Sequence, residues 1–312
     1  MSLKKIIDII GAATDHGLHI KGASGGPDGF RTAGIIDTLK KQGLRVNDLG
    51  NISSVQPVGL DNVRLKNLEA VNSINSKIYD IVFQSLKNKN FPLVLGGDHS
   101  LAAGSILAAK AAAGESGLIW VDAHGDFNTE ENSPSGNIHG MPFSAITTGK
   151  PKEIIPFLQK KYGLIDPKNC VLFGARDLDK DEEVRLKQFG ISIITMAEIQ
   201  NTGISKAVKK ALAIAGGNDN NYSNDEFASD AAGRKTNGIY LSFDIDSLDP
   251  SFAPGVSTSV DGGLSYQDAL YLCQALKQSR LLIGAEFVEY NPLNDIQNKT
   301  VHTVIGLITA LF

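Results

Sequence analysis

The chain has 312 residues, 42% hydrophobic and 21% charged, which is ample for a substantial core and ordinary for a globular protein. Its 30 Lys and Arg against 34 Asp and Glu leave a formal net charge of −4, with the basic residues spread out, so neither nucleic acid nor an anionic membrane is expected as a partner. No apolar run reaches the ~20 residues needed to span a bilayer. Cys170 and Cys273 sit in apolar contexts without CxxC spacing, so a reducing, cytoplasmic setting is expected.

The opening MSLKKIIDIIGAATDHG has a basic pair and a short apolar run but no cleavage region, and reads as a first strand rather than a signal peptide. Apolar runs bounded by Gly, Asp or Pro predict strands over 5–12, 45–50, 92–97, 117–123, 170–175, 191–195, 238–244 and 281–288. Helical periodicity fills the intervals at 29–43, about 62–89, 100–113, 151–163, 181–190, 203–217, 265–279 and 302–312. Such alternation, with strands apolar on both faces, predicts an α/β fold with a doubly wound parallel sheet; on strand count alone a (β/α)8 barrel is the lesser option. In both, function sits beyond the carboxyl ends of the strands. No linker or repeat divides the chain, so a single domain over 1–312 is expected. The segment 216–238, dense in Asn, Asp, Ser and Gly, reads as a polar surface insertion.

Three of the apolar runs end in metal-ligand patterns: LVLGGDHS (93–100), LIWVDAHGD (118–126) and IYLSFDIDSLDP (239–250). Asp122, His124 and Asp126 stand at i, i+2 and i+4, and Asp244 and Asp246 at i and i+2; on an extended strand such residues share a face. A lone DxD or HxD is common by chance, but three patterns of one local design point to one site. Four carboxylates converging on an apolar site cannot all stay ionised without compensating charge. Two divalent cations, with His99 and His124 as neutral ligands, provide that charge. A shell rich in carboxylate, with a minority of imidazole and no thiolate, suits Mn²⁺ better than a structural zinc.

Together with SGNIHGMP (135–142) and EYNP (289–292), the motifs GGDHS, DAHGDFN and SFDIDSLDPSFAPG resemble those of the ureohydrolases, the family of arginase, agmatinase and formimidoylglutamase. The resemblance covers nearly the whole chain. It implies a three-layer α/β/α fold around an eight-stranded parallel sheet and a binuclear manganese centre with two Mn²⁺ per subunit. One metal would be held by His99, Asp122, Asp126 and Asp244, the other by His124, Asp122, Asp244 and Asp246, with Asp122 and Asp244 bridging. The implied chemistry is attack of a metal-bridging hydroxide on a guanidinium carbon, with Asp126, His139 and Glu289 as catalytic residues. His139 matches the proton-shuttling histidine, a role suited to imidazole near pH 7. Glu289 matches the guanidinium-binding glutamate; Glu286 competes by sequence alone, and the Asn-Pro that follows favours Glu289. His16, His19 and His302 have no partners at ligand spacing and read as surface or capping residues.

The head-group positions also match. Asn128, Ser133 and Ser135 correspond to arginase residues that hydrogen-bond an amino acid's carboxylate, and Asn137 joins them in the same loop. Asp179 and Glu182 correspond to residues holding the amino group, and Thr258 to one near the guanidinium. Neutral donors on one wall and acids on the other suit a zwitterion, so L-arginine, cleaved to L-ornithine and urea, is the expected substrate. Agmatinase, formimidoylglutamase or another guanidino or amidino hydrolase is the alternative. A non-catalytic binding homologue is the rival from another class, and the intact ligand set argues against it. The family implies a homo-oligomer, trimer or hexamer, although the chain stops at Phe312 without the extended tail that helps some arginases assemble. Gly125 stands where the family often has a larger residue and is expected to loosen local packing.

Overall fold

A computed structural model describes residues 6–53, 62–217 and 236–312. The polar insertion read at 216–238 falls almost wholly on 218–235, outside the described residues. Eight strands form the sheet: β1 (Ile6–Ala13), β2 (Arg45–Ser53), β3 (Phe91–Leu95), β4 (Gly117–Val121), β5 (Cys170–Ala175), β6 (Ser192–Thr195), β7 (Ile239–Asp244) and β8 (Leu282–Val288). Their order is β2-β1-β3-β8-β7-β4-β5-β6, and every neighbouring pair is parallel. The sheet is open, with β2 and β6 as its edges, so the barrel option is excluded.

Alternate residues of the inner strands enter opposite cores, which is why those runs are apolar throughout, whereas the edge strand β2 is largely exposed. Ile7 and Ile9 of β1 and Ile119 and Val121 of β4 face one core; Ile10 and Ala12, and Leu118 and Trp120, face the other. Over the first core lie α1 (Gly26–Thr32), α2 (Ile35–Lys41), α8 (Met196–Thr202), α9 (Ile204–Ala215), α10 (Tyr266–Ser279) and α11 (Lys299–Ala310). Over the second lie α3 (Leu68–Lys87), α4 (Ala102–Ala113), α5 (Pro142–Thr148), α6 (Pro156–Tyr162) and α7 (Lys180–Gln188). The result is three layers, α/β/α. Among the described residues, no helix is long and apolar enough to cross a membrane, and both cysteines are free and buried.

The eight predicted strands all form. The helix expected over 29–43 is two helices, because Gly34 takes a left-handed conformation (φ 87°) at the start of α2. Helices α5 and α8 escape the sequence reading: each has only seven residues, and six of those in α5 are buried, so no amphipathic period develops. Helix α10 begins where expected, with Ser265 and Asp268 forming a reciprocal capping box.

What positions the site is the middle of the sheet. Strands β3, β8, β7 and β4 are consecutive neighbours, so the loops leaving their carboxyl ends share one small region.

Candidate metal centre and substrate cleft

His99 follows β3 at the head of a short 3₁₀ turn whose second amide, Ser100 N, donates to the Asp98 carboxylate at 3.0 Å. Only glycine fits at 97, since a Cβ there would lie 1.7 Å from the Thr14 carbonyl oxygen. His99 is fully buried; its Nδ1 lies 3.1 Å from Asp122 Oδ2, 3.0 Å from Asp126 Oδ2 and 3.1 Å from Asp244 Oδ2. A second group forms beside it: His124 Nδ1 is 3.1 Å from Asp246 Oδ2 and 3.5 Å from Asp122 Oδ1. Potential ligand atoms of His99, Asp122 and Asp244, and likewise of Asp122, His124 and Asp246, lie within 4.8 Å of one another, so Asp122 belongs to both groups.

Asp122, His124 and Asp126 do not share a strand face as expected from their spacing. Strand β4 ends at Val121, so Asp122, His124 and Asp126 stand on the loop beyond it. Asp126 adopts a left-handed backbone (φ 49°) and approaches His99, whereas His124 approaches Asp246. The loop delivers the i+2 and i+4 side chains to different groups. Asp244 closes β7, and Asp246 sits in the following turn, its amide donating to Asp244 Oδ1 at 2.8 Å.

The electrostatics test whether cations fit. Burial and the neighbouring carboxylates of Asp246 and Asp122 push Asp244 well above the usual carboxylate range, and burial with Asp122 brings Asp126 up to about 6. Burial disfavours charge on His99 and His124 as well, yet the surrounding aspartates outweigh it and raise both imidazoles. Retained protons are how such a cluster offsets its own negative charge. His99 Nδ1 is buried, faces three carboxylate oxygens, and makes no hydrogen bond. Four carboxylates and two imidazoles arranged this way fit a pair of divalent cations.

Three residues that the sequence reading passed over hold this arrangement. Trp120 donates from Nε1 to Asp122 Oδ2 at 2.9 Å, and its ring stacks between His99 (centroids 4.1 Å apart) and Phe143 (4.8 Å). Its place in an apolar run made it read as core alone. Arg176, just beyond β5, donates to the carbonyls of Asp246 (2.7 Å), Ser247 (3.2 Å) and Val260 (2.7 Å), pinning the loop that carries Asp246. A charged residue directly after a buried strand, as in the ligand motifs, was the available signal. Ser242 contacts His99 from β7 at 2.8 Å.

Glu289 follows β8 in a left-handed conformation (φ 65°), an uncommon state for a side chain this large and one that concentrates at functional sites. Its amide donates to Gly97 O at 2.8 Å, and its Oε1 accepts from His99 N at 2.7 Å. Oε2 is buried without a hydrogen-bond partner. His139, on the turn Ile138–Gly140, lies with Nδ1 3.5 Å from Glu289 Oε1, and its amide donates to Gly17 O at 3.1 Å. Burial disfavours the His139 cation, but the carboxylates of Glu289, Asp126 and Asp98 together outweigh it and raise the imidazole. Glu286 points instead into the core under α4, bonded to Ser242 and Ser105, which removes it from competition with Glu289.

A cleft of about 190 Å³ opens over the second metal group and is lined by Asn128, Ser133, Ser135, Asn137, Asp179, Glu182 and Thr258 beside His124, Asp126 and His139. Ser133 Oγ accepts from Gly136 N (2.9 Å) and Ser135 Oγ from Asn137 N (3.2 Å), which leaves each hydroxyl proton free to donate elsewhere. Asn128 donates to Asp179 Oδ2 at 3.2 Å and accepts from Asn132 at 3.0 Å. Asn137 Nδ2 lies 2.8 Å from His19 Nδ1, so His19, read as a bland residue, contacts the cleft wall. Thr258 donates to Asp246 Oδ2 at 3.0 Å and supports a ligand.

Glu182 is buried; its Oε1 accepts from Phe127 N at 2.7 Å, and burial pushes its carboxyl up to about 8. The looseness expected at Gly125 is absent because Glu182 fills the space.

The family model for the arginase family matches residues 5–312. Arginase from Staphylococcus aureus (strain COL) is 38% identical over 316 residues, covering 100% of this chain and 98% of its own length. Arginase from Bacillus subtilis (strain 168) is also 38% identical, covering 99% and 98%. The structure of arginase from Bacillus caldovelox superimposes with a TM-score of 0.89 at 37% identity, covering 99% of this chain and 98% of that one. Agreement of this extent, in sequence and in fold, leaves one conclusion: the chain belongs to the arginase family.

Proposed function

We propose that this enzyme hydrolyses L-arginine to L-ornithine and urea with two Mn²⁺ ions per chain. The observation that carries the substrate is the composition of the cleft: the hydroxyls of Ser133 and Ser135 with Asn128 form a donor-rich wall, and Asp179 with Glu182 forms an acidic one. A zwitterionic head group matches both walls at once.

His99, Asp122, Asp126 and Asp244 would hold one ion, and His124, Asp122, Asp244 and Asp246 the other. When bound, the pair would lower the pKa of a coordinated water and so provide a strong nucleophile near neutral pH. The chain's own residues do the rest. Glu289, with its unpartnered Oε2, receives the guanidinium through charge-assisted hydrogen bonds and orients its carbon. His139, 3.5 Å from Glu289, passes a proton to the departing ornithine amine. The Ser133 and Ser135 hydroxyls and the Asn128 amide bind the carboxylate, with Asn137 completing that wall, while Asp179 and Glu182 hold the amino group. The same reading takes residues 1–312 as one domain, built on one continuous sheet, working in the cytoplasm as a trimer or hexamer.

Agmatine keeps the guanidinium and lacks the carboxylate. Two hydrogen bonds to a charged group, at roughly 1.5–3 kcal/mol each, give an expected preference for arginine on the order of 10²–10⁴-fold in kcat/KM. Release of urea from agmatine at an equal or higher kcat/KM overturns the substrate assignment and leaves the metal site standing.

A further inference from the structure

Glu286 is a fully buried carboxylate on β8 that the reaction does not use. Its surroundings form a row across the sheet. In register, Val94 of β3 pairs with Glu286, Glu286 with Ser242 of β7, and Ser242 with Trp120 of β4, all on the face covered by α4. Ser105 of α4 contacts Glu286 Oε2. Ser242 Oγ donates to Glu286 Oε1 at 2.7 Å and lies 2.8 Å from His99 Nε2. A carboxylate so deep in an apolar layer needs a reason beyond packing.

Counting protons gives one. A serine hydroxyl has a single hydrogen. With that hydrogen on Glu286, Ser242 Oγ can only accept from His99, so the imidazole proton sits on Nε2. The lone pair is then on Nδ1, the atom facing Asp122, Asp126 and Asp244. Reversing the Ser242 hydroxyl would place the proton on Nδ1 and block it as a ligand.

We propose that Glu286 and Ser242 are positioning residues that fix the Nδ1-ligating tautomer and ring orientation of His99, and so set the affinity of the His99-side metal position. The inference rests on the two-metal reading above. Loss of such a partner behind a ligating histidine typically weakens metal binding 10–100-fold.

The test titrates Mn²⁺ into metal-stripped full-length protein, with wild type first read for two ions per chain. Asp246→Ala then serves as the background, so that the His99-side position is measured alone. Ser242→Ala and Glu286→Leu are each expected to raise its Kd on the order of 10–100-fold. Glu286→Gln can keep an acceptor oxygen toward Ser242, and Ser242→Thr keeps the hydroxyl; both are expected to stay near the parent value. A purely structural role would lower the melting temperature of the metal-free protein without changing that Kd. An unchanged Kd in Ser242→Ala and Glu286→Leu overturns the inference, as does a Glu286→Gln loss equal to that of Glu286→Leu. If wild type takes up no Mn²⁺, the metal reading falls and takes this inference with it.

Discussion

A Cβ built on Gly125 would lie 2.4 Å from Cδ of Glu182, because the glutamate side chain already occupies that space. The two positions therefore act as one unit: the absence of a side chain on the loop after β4 lets Glu182 of α7 reach the amide of Phe127. Gly125→Ala should push Glu182 off this amide, with a destabilisation of about 1–3 kcal/mol from overpacking and a higher KM for L-arginine. Calorimetry and steady-state kinetics check it; unchanged stability and KM would mean that Glu182 yields freely.

Glu182 also sets a pH dependence. Burial raises its folded pKa to about 8, above the ordinary glutamate value of 4.5, so the folded state binds this proton more tightly than the unfolded chain does. The stabilisation is fully present below about pH 4.5 and is lost as pH rises through about 8. Glu182→Gln cannot ionise and keeps an acceptor for Phe127. In metal-stripped protein the variant should gain stability relative to wild type between pH 5.5 and 8.5, at most on the order of 4 kcal/mol. Denaturant melts at several pH values measure the difference, and a flat one would contradict the assignment.

The Asp246 carboxylate belongs to the His124 group, whereas that of Asp122 belongs to both groups. Asp246→Ala should therefore reduce bound Mn²⁺ to about one ion per chain, and Asp122→Ala should impair both positions. Metal analysis after dialysis distinguishes the two variants. Equal losses would show that the groups do not act as separate positions.

His139 touches Glu289 but lies outside both metal groups. Its replacement by Asn should lower kcat on the order of 10²–10⁴-fold, as for loss of a positioned acid or base, while leaving metal content intact. Full kcat across the neutral range would remove it from the reaction.

Most of the eight strands were legible in the sequence because they are short apolar runs, buried on both faces and closed by a turn residue, whereas the exposed edge strand β2 rests on a weaker pattern. Helices α5 and α8 were not, being too short for periodicity to register. The ligand types were legible because their chemistry is: a carboxylate or imidazole directly after a buried run has few structural reasons to be there. From the sequence alone come the candidate ligands and their place at the carboxyl ends of buried runs. How they meet follows from the packing of the chain. It inserted β8 and β7 between β3 and β4, so that four loops distant in the chain share one edge. It bent the Asp122–Asp126 loop so that alternate side chains serve different metal groups. It also separated Glu286 from Glu289, setting one behind His99 and the other beside His139. These choices depend on strand order, register and backbone conformation, and those arise from contacts between segments far apart in the chain.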